Sequence, residues 1–154
     1  MDDTGGQTGP GELVLAFEMV FDEQGPDAPG DDWNRLCSFI LRSEGQGGRW
    51  EVTVALVDDR ALCDLHARFM GINSVTDVMT FPHGDDGTGG GDIVISVDRA
   101  AAQGPEHGAT PDQEIRFLFV HGMLHLCGWD DGSDADREKM LFRQAELLDL
   151  YAAG

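Results

Sequence analysis

The chain has 154 residues, 41% of them hydrophobic, a size that suits one domain around one buried core. No stretch approaches the ~20 consecutive apolar residues of a membrane span, and no basic segment precedes an apolar run, so neither a membrane association nor a signal peptide is expected. With 29 acids against 10 bases the net charge is −19 and Lys139 is the sole lysine; such a chain repels nucleic acid at low salt unless basic residues cluster locally, and DNA is not an expected partner.

Residues 1–11 (MDDTGGQTGPG) read as a flexible tail, and 12–154 as a single domain. Glu12 to Phe21 is a mostly apolar run bounded by turn residues, hence a strand, followed by a loop over Gln24 to Gly30. Asp31 to Ser43 carries Trp33, Leu36, Cys37, Ile40 and Leu41 at helical spacing and ends at Gly45 to Gly48. Trp50 to Val57 alternates and is β-branched, hence a strand. Asp58 and Asp59 offer caps for a helix over Arg60 to Met70. Thr76 to Phe81 and Asp92 to Val97 read as two further strands. The loop between them, His83 to Gly91, is too polar and glycine-rich to pack, and a short helix is expected over Asp98 to Gln103.

The next helix has the sharpest start. Thr110-Pro111-Asp112-Gln113 forms a capping-box pattern with proline at the first helical position. That helix runs to about Cys127, where Gly128 permits a left-handed stop. A last helix follows Ser133 to about Tyr151, with Met140, Leu141, Leu147, Leu148 and Tyr151 as its buried stripe. The order predicts one α+β domain, a mixed four-stranded sheet packed with helices. The three cysteines, Cys37, Cys63 and Cys127, form no Cys-x-x-Cys pair and read as reduced thiols of a cytoplasmic protein, with Cys127 pointing into the core.

The segment His121 to Asp131 (HGMLHLCGWDD) carries the chemistry. His121 and His125 are four residues apart within a helix, so both imidazoles share one face and can chelate one ion. Gly128 lets the chain reverse, and Asp131 can return to that face, with Asp130 as the alternative if the turn differs by one residue. Three protein ligands leave one position of a zinc ion open, which is the catalytic arrangement. Alone, a His-x3-His pair more often marks two unrelated histidines; the turn glycine and the carboxylate strengthen the metal reading. The helix is zincin-like in spacing, but the glutamate that zinc proteases place after the first histidine is here Gly122, so peptide hydrolysis is disfavoured. His66 and His107 read as surface residues, His83 as a loop residue that occasionally reaches such a site, and Asp92 as structural. Glu114, seven residues before His121 on the same face, is either a hydrogen-bond partner of a metal ligand or an exposed first-turn acid.

The segment His121 to Asp130 resembles the signature of the YbeY family of bacterial endoribonucleases almost residue for residue. Leu65 to Pro82 is similar to that family's stretch ending Thr-Asp-Val-x-Ser/Thr-Phe-Pro, and Gly91 to Ser96 to its Gly-Asp-Ile strand. The resemblance implies a metal-dependent, single-strand-specific endoribonuclease acting in ribosomal RNA maturation and ribosome quality control, with single-stranded RNA, ribosomal RNA and the small ribosomal subunit as partners. Asp131 stands where that family normally has a third histidine. His66 and Met70 stand where it often has Asn and Arg, and Arg68 lies in a different helical register, which weakens the expected phosphate contacts. No protein base is evident, so water activated by the metal is the expected nucleophile and the RNA 2′-OH its rival. A metal-dependent hydrolase of another substrate and a non-catalytic ribosome-associated metal-binding factor are the competing readings.

The acidic composition fits either a high-salt cytoplasm or a generally acidic, arginine-preferring proteome. On the first reading the melting temperature rises between low and molar salt as self-repulsion is screened; a level melting temperature favours the second.

Overall fold

The computed structural model describes residues 11–21, 30–70, 77–83 and 89–154. The expected tail over 1–10, the loop over 24–29, residues 71–76 and the loop over 84–88 lie outside the described residues. Two burial periods generate the elements. In β2 (Arg49–Val57) every second side chain is buried: Trp50, Val52, Val54 and Leu56. In α1 (Gly30–Ser43) the predicted stripe Trp33, Leu36, Cys37, Ile40 and Leu41 is at most 1% exposed.

β1 (Val14–Phe21) pairs parallel with β2, and β2 pairs parallel with β4 (Gly89–Ser96). β3 (Val78–Pro82) closes the edge, antiparallel to β4, so the sheet is mixed and ordered β1-β2-β4-β3. α2 (Asp59–Met70) follows β2, with Asp58 Oδ1 accepting from the Ala61 amide at 2.8 Å as the cap. α3 (Val97–Gln103) and a 3-10 turn (Gly104–His107) lead to α4 (Pro111–Leu126) and α5 (Asp134–Ala153). The capping box at Thr110 and Gln113 is formed as predicted, with bonds of 2.9 and 3.1 Å.

One face of the sheet carries the main core with α1, α4 and α5, where Phe119 meets Trp33 and Phe17 edge-on. The other face packs Val94 and Met79 against Leu62 of α2. No described helix is long and apolar enough to cross a membrane. None of the three thiols forms a disulfide; Cys37 is buried, and Cys63 and Cys127 are half-buried. Burial, with the nearby Glu44 carboxylate, pushes the Cys127 thiol up to about 12, so it stays protonated and inert.

Two expectations are corrected. Gly89 to Gly91 are not loop but the first residues of β4, and Gly90 and Gly91 are buried. Their glycine character follows from crowding. A Cβ on Gly91 would lie 2.5 Å from the Phe81 carbonyl oxygen and 2.8 Å from Leu126 Cδ2. Leu141 is 43% exposed and leaves the buried stripe of α5; Gln144, fully buried, takes its place between Met140 and Leu147.

Gly91→Ala should destabilise the chain by about 1–3 kcal/mol, because the clash is with backbone that cannot rotate away. Urea unfolding checks it; a loss below half a kcal/mol would show that the sheet edge yields freely.

Candidate metal centre

α4 presents its two faces to different tasks. Towards the sheet it carries Gly122, where a Cβ would sit 2.8 Å from Ile93 Cγ2. The position after the first histidine is therefore a packing contact with β4. A glutamate there would collide with the sheet rather than reach a substrate, which gives the missing protease base a steric cause.

On the neighbouring flank of the helix His121 and His125 lie half-buried, ring centroids 4.6 Å apart. The helix then stops in a Schellman turn: the Gly128 amide donates to the His125 carbonyl at 3.0 Å and the Trp129 amide to the Leu124 carbonyl at 2.9 Å. Gly128 has φ +101°, a conformation that disfavours any side chain. The reversal places the Trp129 carbonyl 3.1 Å from His125 Nδ1 and returns Asp131 to the histidine face. The turn is tethered by Glu44, which accepts from the Trp129 indole at 2.7 Å and from Arg143 at 2.8 Å.

The geometry selects Asp131. Its Oδ2 lies 3.4 Å from both His121 Nε2 and His125 Nε2, which are 3.1 Å from each other. Asp130 is exposed, and its Oδ1 instead accepts from the Gly132 amide at 3.1 Å. Ligand atoms about 2.0–2.2 Å from a tetrahedral zinc lie roughly 3.3 Å apart, so this triangle fits one ion. The three residues are a group that can hold a metal, and no other such group occurs among the described residues.

The hydrogen bonds around the rings set their tautomers. His121 Nδ1 faces Gln144 Oε1 at 2.9 Å, and His125 Nδ1 faces the Trp129 carbonyl. Both outer partners are acceptors, so each Nδ1 carries its ring's proton and each Nε2 turns a lone pair inward. Two lone pairs and a carboxylate oxygen then meet without a donor between them, an arrangement that calls for a cation. Gln144 is held in turn by donating to the Phe117 carbonyl at 3.3 Å.

Gln144 was not singled out by sequence reasoning, although a glutamine in line with Met140 and Leu147 was a readable signal of a buried polar contact. Glu114 fits neither alternative expected of it: it is 2% exposed and bonds His107 Nδ1 at 3.1 Å, not a metal-facing histidine. His83 pairs with Asp92 at 3.4 Å and does not join the group; Asp92 has that contact besides its place in β4. His107 is exposed as expected, whereas His66 is half-buried. Arg68 is exposed, and Met70 ends α2.

The family model described as Endoribonuclease YbeY matches residues 16–152. The chain belongs to the YbeY family. An Endoribonuclease YbeY of Mycolicibacterium gilvum is 34% identical over 146 residues, covering 87% of this chain and 82% of the relative. The Bacillus licheniformis protein of the same name is 32% identical, covering 86% and 92%. In fold the chain is similar to the solution structure of TM1509 from Thermotoga maritima, with a TM-score of 0.60 at 24% identity over 88% of this chain and 89% of that one. The α+β architecture expected from the sequence is thus found in the chain and shared with this structural neighbour.

Gln144→Leu should weaken metal binding about 10–100-fold, since the ring it orients loses its acceptor. Gln144→Glu keeps an acceptor and should retain most of the affinity. Chelator competition reads both; equal losses would reduce Gln144 to a packing role.

Proposed function

We propose that this chain is a metal-dependent endoribonuclease of the cytoplasm. It cuts single-stranded RNA at the His121–His125–Asp131 centre, with one zinc ion per chain, in ribosomal RNA maturation and ribosome quality control on the small ribosomal subunit. Family membership supports the reaction class. The observation that carries the site is the 3.1 and 3.4 Å triangle of inward lone pairs. A zinc ion bound there would polarise a phosphoryl oxygen and lower the pKa of water, the two contributions that phosphodiester hydrolysis needs.

The chain's own residues supply position. Gln144 and the Trp129 carbonyl accept from the Nδ1 side of each ring and so aim both Nε2 atoms at the centre, and Glu44 fixes the turn that delivers Asp131. Asp131 is 36% exposed at its side chain, so the triangle opens to solvent on the carboxylate side and a phosphodiester can approach there. Four arginines that could have served phosphates are engaged with acids: Arg99 with Asp59, Arg116 with Asp32, Arg137 with Asp134, and Arg143 with Glu44 and Glu146. Gly122 packed on Ile93 disfavours peptide hydrolysis.

His125→Ala should abolish stoichiometric zinc and lower cleavage of single-stranded RNA by more than about a hundredfold, while the fold is kept. Stoichiometric metal in the native chain without metal-dependent cleavage would establish instead a binding factor. Product ends separate the nucleophiles: a cyclic phosphate marks the 2′-OH, its absence marks water.

A further inference from the structure

A cavity of about 800 Å3 opens between the 3-10 turn, the start of α4 and the end of α5. Its walls are largely apolar, with Phe117, Leu141, Leu148 and Tyr151 among them. Glu114 also lines it, buried to 2% exposure. One carboxylate oxygen, Oε1, is bonded to His107; the other, Oε2, has no hydrogen-bond partner. An unpaired oxygen of a buried carboxylate is costly, and such groups are rare unless a ligand completes them. Arg116, which borders the same cavity, is tied to Asp32 and lies over the Trp33 ring at 4.9 Å.

The cavity and the metal centre lie along the same helix. Glu114, Phe117, His121 and His125 share one face of α4, and Glu114 precedes His121 by about 10 Å of helical rise. Gln144 links the two regions, since it bonds His121 with one atom and the Phe117 carbonyl with the other.

Resting on the endoribonuclease reading, we propose that this cavity seats a base of the RNA next to the cleaved bond, and that Glu114 accepts a hydrogen bond from its exocyclic amino group. Apolar and aromatic walls bury a nucleobase, and a carboxylate is an acceptor that reads an amino edge. Adenine, cytosine and guanine carry such an amino group. Uracil offers carbonyl oxygens on either side of one imide N–H, and these oppose a carboxylate. The charge of −19 strengthens the case: little affinity is available from the phosphate backbone, so base burial must supply it. Oε2 has less than 1 Å2 of surface, so the base must displace a neighbouring side chain to reach it, and the half-exposed His107, bonded to Oε1 of the same carboxylate, is the one the proposal assigns.

The test uses the full chain with zinc and short single-stranded RNAs that differ at one base. Cleavage should be about tenfold or more faster beside A, C or G than beside U, the effect of one charge-assisted hydrogen bond. Glu114→Gln, which can donate as well as accept, should erase that preference through KM, with zinc content unchanged. Cytidine and uridine monophosphate, titrated separately, should bind with the same order, in an assay that needs no cleavage. Cleavage without base preference, or a preference unaltered in Glu114→Gln, overturns the inference while leaving the nuclease reading intact. Selective cytidine monophosphate binding without RNA cleavage does the reverse.

Discussion

The closeness with which α4 lies on the sheet is the constraint on which the rest depends. Two glycines permit it, Gly122 on the helix against Ile93 and Gly91 in β4 beneath Leu126, each leaving no room for a Cβ. With the helix seated at that depth, its sheet-facing side is committed to packing and the histidine ridge is turned outward by geometry alone. The helix end, half-buried at Leu126 and Cys127, is left by a tight reversal. The Schellman turn at Gly128 is the solution that satisfies the last carbonyls while carrying Asp131 back over His121 and His125. Site and fold are one constraint: a wider helix–sheet gap would shift the ridge relative to the turn and spoil a triangle that tolerates only tenths of an ångström.

Much of this was legible in the sequence because it is local. The capping box, the histidine spacing and the glycine stop each depend on residues within one turn of one another, and all three are found where the pattern put them. Asp131 was legible through offset, since a helix stop of known geometry fixes where the third residue beyond it returns. Gln144 and Glu114 were legible as polar residues on helix faces, but their partners were not. Their roles depend on α5 lying beside α4 and on the 3-10 turn folding over the start of α4, contacts between residues 7 to 27 positions apart. Leu141 failed for a related reason: a helical stripe gives the buried face only to within a residue on either side, and the partner helix decides which flank is covered. The Gly89 to Gly91 run was misassigned because glycine signals both a loop and a close approach, and only the neighbouring Trp50 and Phe81 distinguish them.

The acidic composition and the nuclease chemistry stand in tension. A protein that binds RNA through phosphate charge spreads cations over its surface, whereas here four arginines are neutralised by acids and one lysine exists. Two consequences follow. On the endoribonuclease reading, RNA binding should strengthen or hold steady with salt where an ordinary RNA-binding protein weakens, because screening removes repulsion instead of attraction. And the energy of recognition shifts from the backbone to bases, which is where the cavity beside the metal ridge places apolar wall and acceptor.

The third ligand extends the same logic into the centre. Where the family resemblance leads one to expect histidine, Asp131 would bring a negative charge to an ion held in the triangle. A carboxylate would partly neutralise a divalent ion, so water bound to it would be less acidic than with three imidazoles. A harder oxygen donor also widens the range of ions accepted. The loss in water activation would be countered by tighter holding of the cation in a triangle whose two imidazoles are already oriented by Gln144 and the Trp129 carbonyl. In a molecule of charge −19 the general field acts in the same direction, concentrating cations and repelling the polyanion. Metal retention is therefore the easy half of this centre's task, and substrate capture the hard half, which is the half that residues outside the metal triangle have to perform.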